Sequence, residues 1–118
     1  MVNRKVIVRL RDILAAIDGA LDVIDGVDFG SYRESFITRK AMERCVEIVS
    51  EASRQIPDEM KARFPEVPWP EIRAIGNVIR HGYDRVDDIV IWRIATKSFG
   101  ELRPIIYTLL VEAERDNT

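Results

Sequence analysis

Apolar residues in this chain recur every three or four positions along most of its length, a spacing that belongs to helices and not to strands. Near the C-terminus they fall at Leu102, Ile105, Ile106, Leu109, Leu110 and Ala113, which puts one continuous stripe on one side of an α-helix. At the other end Val6, Leu10, Ile13, Ile17, Leu21 and Ile24 do the same, and Gly26 is placed to end that helix. The triplet "VIV" inside this first stripe could seed a strand in isolation, but the helical spacing runs past it for four more turns.

Ser31 and Glu34 have the spacing of a capping box for the next helix. Beyond them Ala41, Cys45, Ile48, Ala52 and Ile56 form one stripe, with Met42, Val46 and Val49 beside it. An apolar surface that wide predicts a central helix with neighbours on two sides. Pro57, Pro65, Pro68 and Pro70 then interrupt the chain, and Pro70 with Glu71 suits the first turn of a third helix, which Gly82 should end. A short fourth helix is predicted to start near Asp84 to Asp87 and to run through Trp92 to about Lys97. Ser98 and Glu101 could cap the last one, but Pro104 would then fall at the sixth helical position, so a kink or a later start is required. The expectation is an all-α fold, an antiparallel bundle of four to five helices.

At 118 residues the chain has the size of a single domain spanning 1–118. A formal net charge of −2 gives no general attraction to a nucleic-acid backbone, so any such site has to be local. Arg63, Arg73, Arg80, Arg85 and Arg93 do gather around one segment. The lone Cys45 cannot form an internal disulfide and reads as a small core hydrophobe in a reducing compartment. No apolar run approaches the ~20 residues of a membrane span, and arginines interrupt the apolar N-terminus, so the expected location is cytoplasmic with no membrane association. With one His, one Cys and no carboxylates at ligand intervals, no metal or cofactor is expected. Asp87 and Asp88 are adjacent and point to different faces, which argues against a paired-carboxylate site.

The one histidine lies in "NVIRHGYD", residues 77–84. At ~100° per residue, Ile72, Ile75 and Ile79 share one side of the third helix, while Arg73, Asn77, Arg80 and His81 share the opposite side. Arg73, Asn77 and His81 form an i, i+4, i+8 line with Arg80 flanking it. That line could meet a phosphate or small molecule. The solvated outer face of any amphipathic helix would look the same, and spacing alone does not separate the two readings. Trp69 and Trp92 read as packing residues bracketing the segment, and Tyr83 as an aromatic anchoring the turn after Gly82.

Three stretches in order, "LRDILAAID", "AMERCVEIVSEAS" with Glu51 near its end, and "FPEVPWPEIRAIGNVIRHGYDRVDDIVIW", resemble the HepT-like toxins of the HEPN superfamily of helical ribonuclease domains. The likeness covers nearly the whole chain and rests on a Pro-Trp pair, an Asn…His-x-Tyr motif and a following Trp. It implies a homodimeric, metal-independent endoribonuclease acting on RNA, the toxin of a type VII toxin–antitoxin system. Its partner would be an MNT-type nucleotidyltransferase antitoxin that silences it by adenylylating the motif tyrosine. Carried over by position, the functional residues are His81, Asn77 and Tyr83. The family's arginine immediately before the asparagine is Gly76 here. Arg80, or an arginine of a second subunit, is then the nearer substitute, since Arg73 lies about 12 Å along the helix from His81. Restoring arginine at Gly76 is expected to be tolerated if the site is open. A catalytically silent helical binding partner or substrate of the nucleotidyltransferase is the alternative.

Overall fold

Asn3 starts the first helix, α1 (Arg4–Ile24), by accepting a hydrogen bond from the Lys5 amide at 2.8 Å through its side chain. The computed structural model describes residues 3–82 and 87–117. Helix α1 buries Val6, Leu10, Ile13 and Ile17, and stops where Gly26 takes a φ of 73°, a backbone conformation open to glycine at little cost.

The next start signal is not the one predicted. Asp28, not Ser31, caps α2 (Phe29–Glu34), accepting from the Ser31 amide at 2.8 Å, so Ser31 lies inside the helix. A carboxylate is the stronger acceptor for the orphan amides at a helix start, and that hydrogen bond holds Asp28 below the usual carboxylate range. Ser35 then caps the central helix α3 (Phe36–Ser53). As its wide apolar surface predicts, α3 packs against α1 on one side and against a later helix, α5, on the other. Cys45 is half-buried at the α1 side, short of the full burial expected of a core residue.

The proline-rich stretch holds a single turn, α4 (Asp58–Lys61), before α5 (Trp69–Gly82) begins with Pro70 in its first turn. Trp69 fastens this connection by donating its indole N–H to the carbonyls of Lys61 and Phe64, 3.2 Å from each. Trp92 packs with Phe29 and Tyr32, ring centroids 5.8 and 5.1 Å away. Burial pushes the Tyr32 hydroxyl up to about 12, with Asp88 adding to the effect.

The predicted break at Ser98 is absent. Helix α6 (Asp88–Arg93), capped by Asp87, passes through a π turn at Ile94–Ser98 into α7 (Phe99–Asp116), and the joining residues keep helical angles. Ser98 makes no cap. The buried residues explain the π turn. Ile91, Ala95 and Phe99 are spaced by four, a series that drifts about 40° per step around a regular helix, and a wider turn brings them back onto one face. Pro104 is accommodated inside α7.

The long helices α1, α3, α5 and the α6–α7 rod form the bundle, and the described residues contain no strand. No described helix is long and apolar enough to cross a membrane. Leu10, Ile13, Ile17, Met42, Ile91, Ile106 and Leu109 form the fully buried centre between α1, α3 and the α6–α7 rod. Asp18 and Arg103 tie α1 to α7 at the surface with two hydrogen bonds, 2.6 and 3.2 Å.

Candidate active site

Helix α5 meets α3 through a glycine. The amide of Gly76 donates to the Ser50 hydroxyl at 3.1 Å, and that hydroxyl donates in turn to the Arg73 carbonyl at 3.2 Å. A Cβ on residue 76 would sit 2.2 Å from Ser50 Oγ and 2.7 Å from Ser50 Cβ. Side chains do not fit there. The expectation that arginine is tolerated at Gly76 is therefore corrected: the position is closed by close backbone approach, and glycine is present because it permits that approach.

Close approach brings the ends of the two helices into register. Arg54, one turn beyond Ser50 at the C-cap of α3, reaches across and donates to Asn77 Oδ1 at 2.9 Å and, more weakly, to the Arg73 carbonyl at 3.4 Å. Arg80, three residues on from Asn77, donates to the same Oδ1 at 2.5 Å and pairs through its other nitrogen with Glu51. The two guanidinium donors fix the amide of Asn77 with its oxygen between them. His81 is exposed one turn beyond Asn77, beside Arg80, and has no hydrogen bond among the described residues.

The sequence-derived site is thus partly assembled. Asn77 and Arg80 are in direct contact and His81 adjoins them. Arg73 contributes its backbone carbonyl, while its exposed guanidinium acts on Lys61, whose pKa is lowered mainly by burial and further by Arg73, against the opposing pull of Asp58. Arg63, another arginine of the segment, is committed elsewhere, to Glu112 at 2.6 and 3.0 Å. Tyr83 and Arg85 lie outside the described residues. Glu51, marked in the sequence, gains its role as the partner of Arg80. Arg54 and Ser50 were missed. A glycine in a helix interior costs about 1 kcal/mol relative to alanine, and that cost was the available signal that α5 needed a close neighbour.

Two concavities flank this cluster. An apolar cavity of about 380 Å³ on the other side of α5 is walled by Ile72, Ile75, Phe99 and Leu102 and takes in none of Asn77, Arg80 or His81. A cleft of about 920 Å³ between α1 and α3 runs past Lys5, Arg9 and Arg44 and reaches Glu51. Among the described residues no group of three or more His, Cys, Asp or Glu side chains is placed to hold a metal ion.

The family model for ribonuclease HepT-like proteins matches residues 5–109. The chain belongs to that family. Among curated relatives of this HepT-like chain, a "Putative RNase" of Methanocaldococcus jannaschii is 30% identical over 103 residues, covering 87% of this chain and 94% of the relative. A second M. jannaschii protein of the same description is 26% identical over 118 residues, covering 97% and 98%. A "Probable ribonuclease HepT" of Thermococcus cleftensis is 31% identical over 97 residues, covering 79% and 88%. No solved structure matches the chain.

Proposed function

We propose that this HepT-like chain is a metal-independent endoribonuclease, the toxin of a type VII toxin–antitoxin pair, working as a cytoplasmic homodimer with residues 1–118 as one domain. The observation that carries the reading is the exposed His81 beside an Asn77–Arg80 contact on one helix face. In the reaction the RNA 2′-hydroxyl attacks the adjacent phosphate, the P–O2′ bond forming as the P–O5′ bond breaks, so a proton must leave the 2′-oxygen, one must reach the departing 5′-oxygen, and a cation is needed near the developing negative charge. His81 transfers the protons, since an imidazole can both accept and donate one. Arg80 stabilises the phosphate charge, with Arg73 nearby on the same face, because a guanidinium offers two donors and stays charged. Asn77 orients the groups around it. A twofold partner would add a second α5 and deepen an otherwise shallow site.

The test is cleavage of RNA by the purified chain, wild type against His81→Ala, with EDTA in both samples. Cleavage by the wild type alone is expected, and equal activity in the two would assign it to a contaminating nuclease and remove the reading. Light scattering checks the dimer: a strict monomer at micromolar concentration would eliminate the composite site.

A second reading is favoured by Glu51, which already occupies one side of the Arg80 guanidinium, and by Gly76 in the place of the family arginine. On that reading the chain is a silent partner and substrate of an MNT-type nucleotidyltransferase. On either reading Tyr83 is the proposed adenylylation site, and an AMP there would add negative charge three residues along the chain from Arg80. Intact mass after co-expression with such an enzyme should show AMP on the wild type and none on Tyr83→Phe. Modification at Tyr32 or Tyr107 would refute the assignment.

A further inference from the structure

We propose that Arg54 is a phosphate-binding residue which, together with Arg80, clamps one phosphodiester of an RNA strand, and so supplies from α3 the guanidinium that α5 lacks at Gly76. The anion's identity as RNA rests on the ribonuclease reading, while the site itself rests on geometry.

Three observations converge on Arg54. First, Arg54 and Arg80 both donate to a single neutral oxygen, Asn77 Oδ1, at 2.9 and 2.5 Å. Two like charges drawn to one uncharged acceptor form an arrangement that an anion would complete. Nitrogens that both touch one oxygen are close enough to be bridged by two oxygens of one phosphate, which can displace or share the amide acceptor. Second, the charge balance of the pair is unequal. Glu51 is the one carboxylate in contact with this pair among the described residues, and it bonds Arg80 and not Arg54. Third, the Arg54 Nε is buried with no hydrogen-bond partner among the described residues. An unmet donor on a charged group is costly to keep, and a turn of the guanidinium that brings a ligand oxygen to this buried nitrogen would relieve that cost.

The placement also explains the departure from the family motif. Arginine immediately before Asn77 is impossible while Ser50 packs on that position, because the first side-chain atom would already collide. The same contact that excludes it draws α3 close enough for Arg54, four residues after Ser50, to reach Asn77. Guanidinium and glycine are therefore linked: the chain exchanges an arginine on α5 for one on α3, and the contact that forces the exchange also aims the substitute.

The experiment separates binding from cleavage. A short 2′-O-methyl oligoribonucleotide lacks the attacking hydroxyl and cannot be cut by the proposed reaction, so its affinity reads the clamp alone. Removing one charge-assisted contact in Arg54→Ala should weaken binding about tenfold. It should also reduce the slope of log affinity against log salt by about 0.7, the value for one phosphate contact on a single strand. Arg54→Lys should keep the slope, because its charge remains, and still lose affinity, because its fork is gone. In parallel, the Nε–H resonance of Arg54 in the wild-type chain should shift as the oligonucleotide is titrated, a reading that needs no variant to fold. Wild-type affinity and slope in folded Arg54→Ala, or an unmoved Nε–H resonance at saturation, would overturn the proposal and leave Arg54 as a brace for Asn77. If the wild type cleaves RNA in either of those cases, the ribonuclease reading survives. A wild type that binds no oligonucleotide overturns the clamp directly.

Discussion

The central helix α3 makes two kinds of contact, and they differ in what holds them. Against α1 it presents large apolar side chains, with Met42 and Val46 packing in the same core as Leu10, Ile13 and Ile17, all shielded from solvent. Against α5 the closest approach is made by Ser50 and Gly76, a hydroxyl and a missing side chain, with Arg54, Asn77, Arg80 and Glu51 gathered at its end. The first contact stabilises through buried area, roughly 25 cal/mol per Å² of apolar surface. The second gives up such area to bring polar groups together. Stability is concentrated on one side of α3 and the candidate chemistry on the other.

That division can be broken experimentally. The largest effect should be on chemistry alone: His81→Ala is expected to lower RNA cleavage by about 10²- to 10⁴-fold, the usual worth of a general acid or base. Its unfolding free energy should stay within about 0.5 kcal/mol of wild type, as for other exposed positions. Loss of helical circular dichroism in this variant would give His81 a structural role and blur the division. Next comes the apolar contact. Ile13→Ala should destabilise by about 2–5 kcal/mol in urea titration, since a fully buried side chain leaves a cavity, while any remaining folded protein keeps its activity.

At the polar contact, Gly76→Ala should cost about 1–3 kcal/mol from overpacking against Ser50. Ser50→Gly should recover part of that loss in the double variant, a positive coupling that only direct contact explains. Additive losses would mean that the two helices can move apart. The smallest effect concerns Asp18, away from both contacts. Its hydrogen bond from Arg103 lowers its pKa, burial opposes this, and the charge of Arg103 assists. A group with a depressed folded pKa adds stability above its unfolded value and loses it as pH falls through the folded value. Asp18→Asn should therefore lose a little stability at pH 7, and its difference from wild type should shrink as the pH falls below about 4, which flattens the acid limb of its stability curve. High salt should shrink the difference, because the pair is about half exposed.

The same division decides what the sequence could show. Contacts made by large apolar residues leave a period, and α1, the core of α3 and the stripe of α7 follow from it. The cap at Asp28 was missed because Ser31 and Glu34 satisfy the same spacing, and only the turn geometry selects the carboxylate. The joining of α6 to α7 was missed because Ser98 and Pro104 are real local stop signals that the buried series Ile91, Ala95, Phe99 overrides. In the candidate site, Asn77, Arg80 and His81 are neighbours along one helix and were legible together. Arg54 belongs to a different helix and depends on Gly76 for its reach, and no one-dimensional pattern records a distance set by an absent side chain.

The π turn at Ile94–Ser98 bears on how this chain tolerates change in length. A π turn holds one residue more than an α turn, so the rod carries the equivalent of an insertion that it has absorbed. Exposed positions in that turn, such as Thr96 and Lys97, can vary in chemistry with little consequence for packing. Their number can fall by one but not rise. Removing one residue would restore a regular helix and keep Ile91 on the core face and Trp92 beside Phe29 and Tyr32, whereas adding one more would rotate everything before it by about 100° relative to α7. The segment is permissive to substitution and to the loss of its extra residue, so divergence there should accumulate as replacements and single deletions and not as insertions.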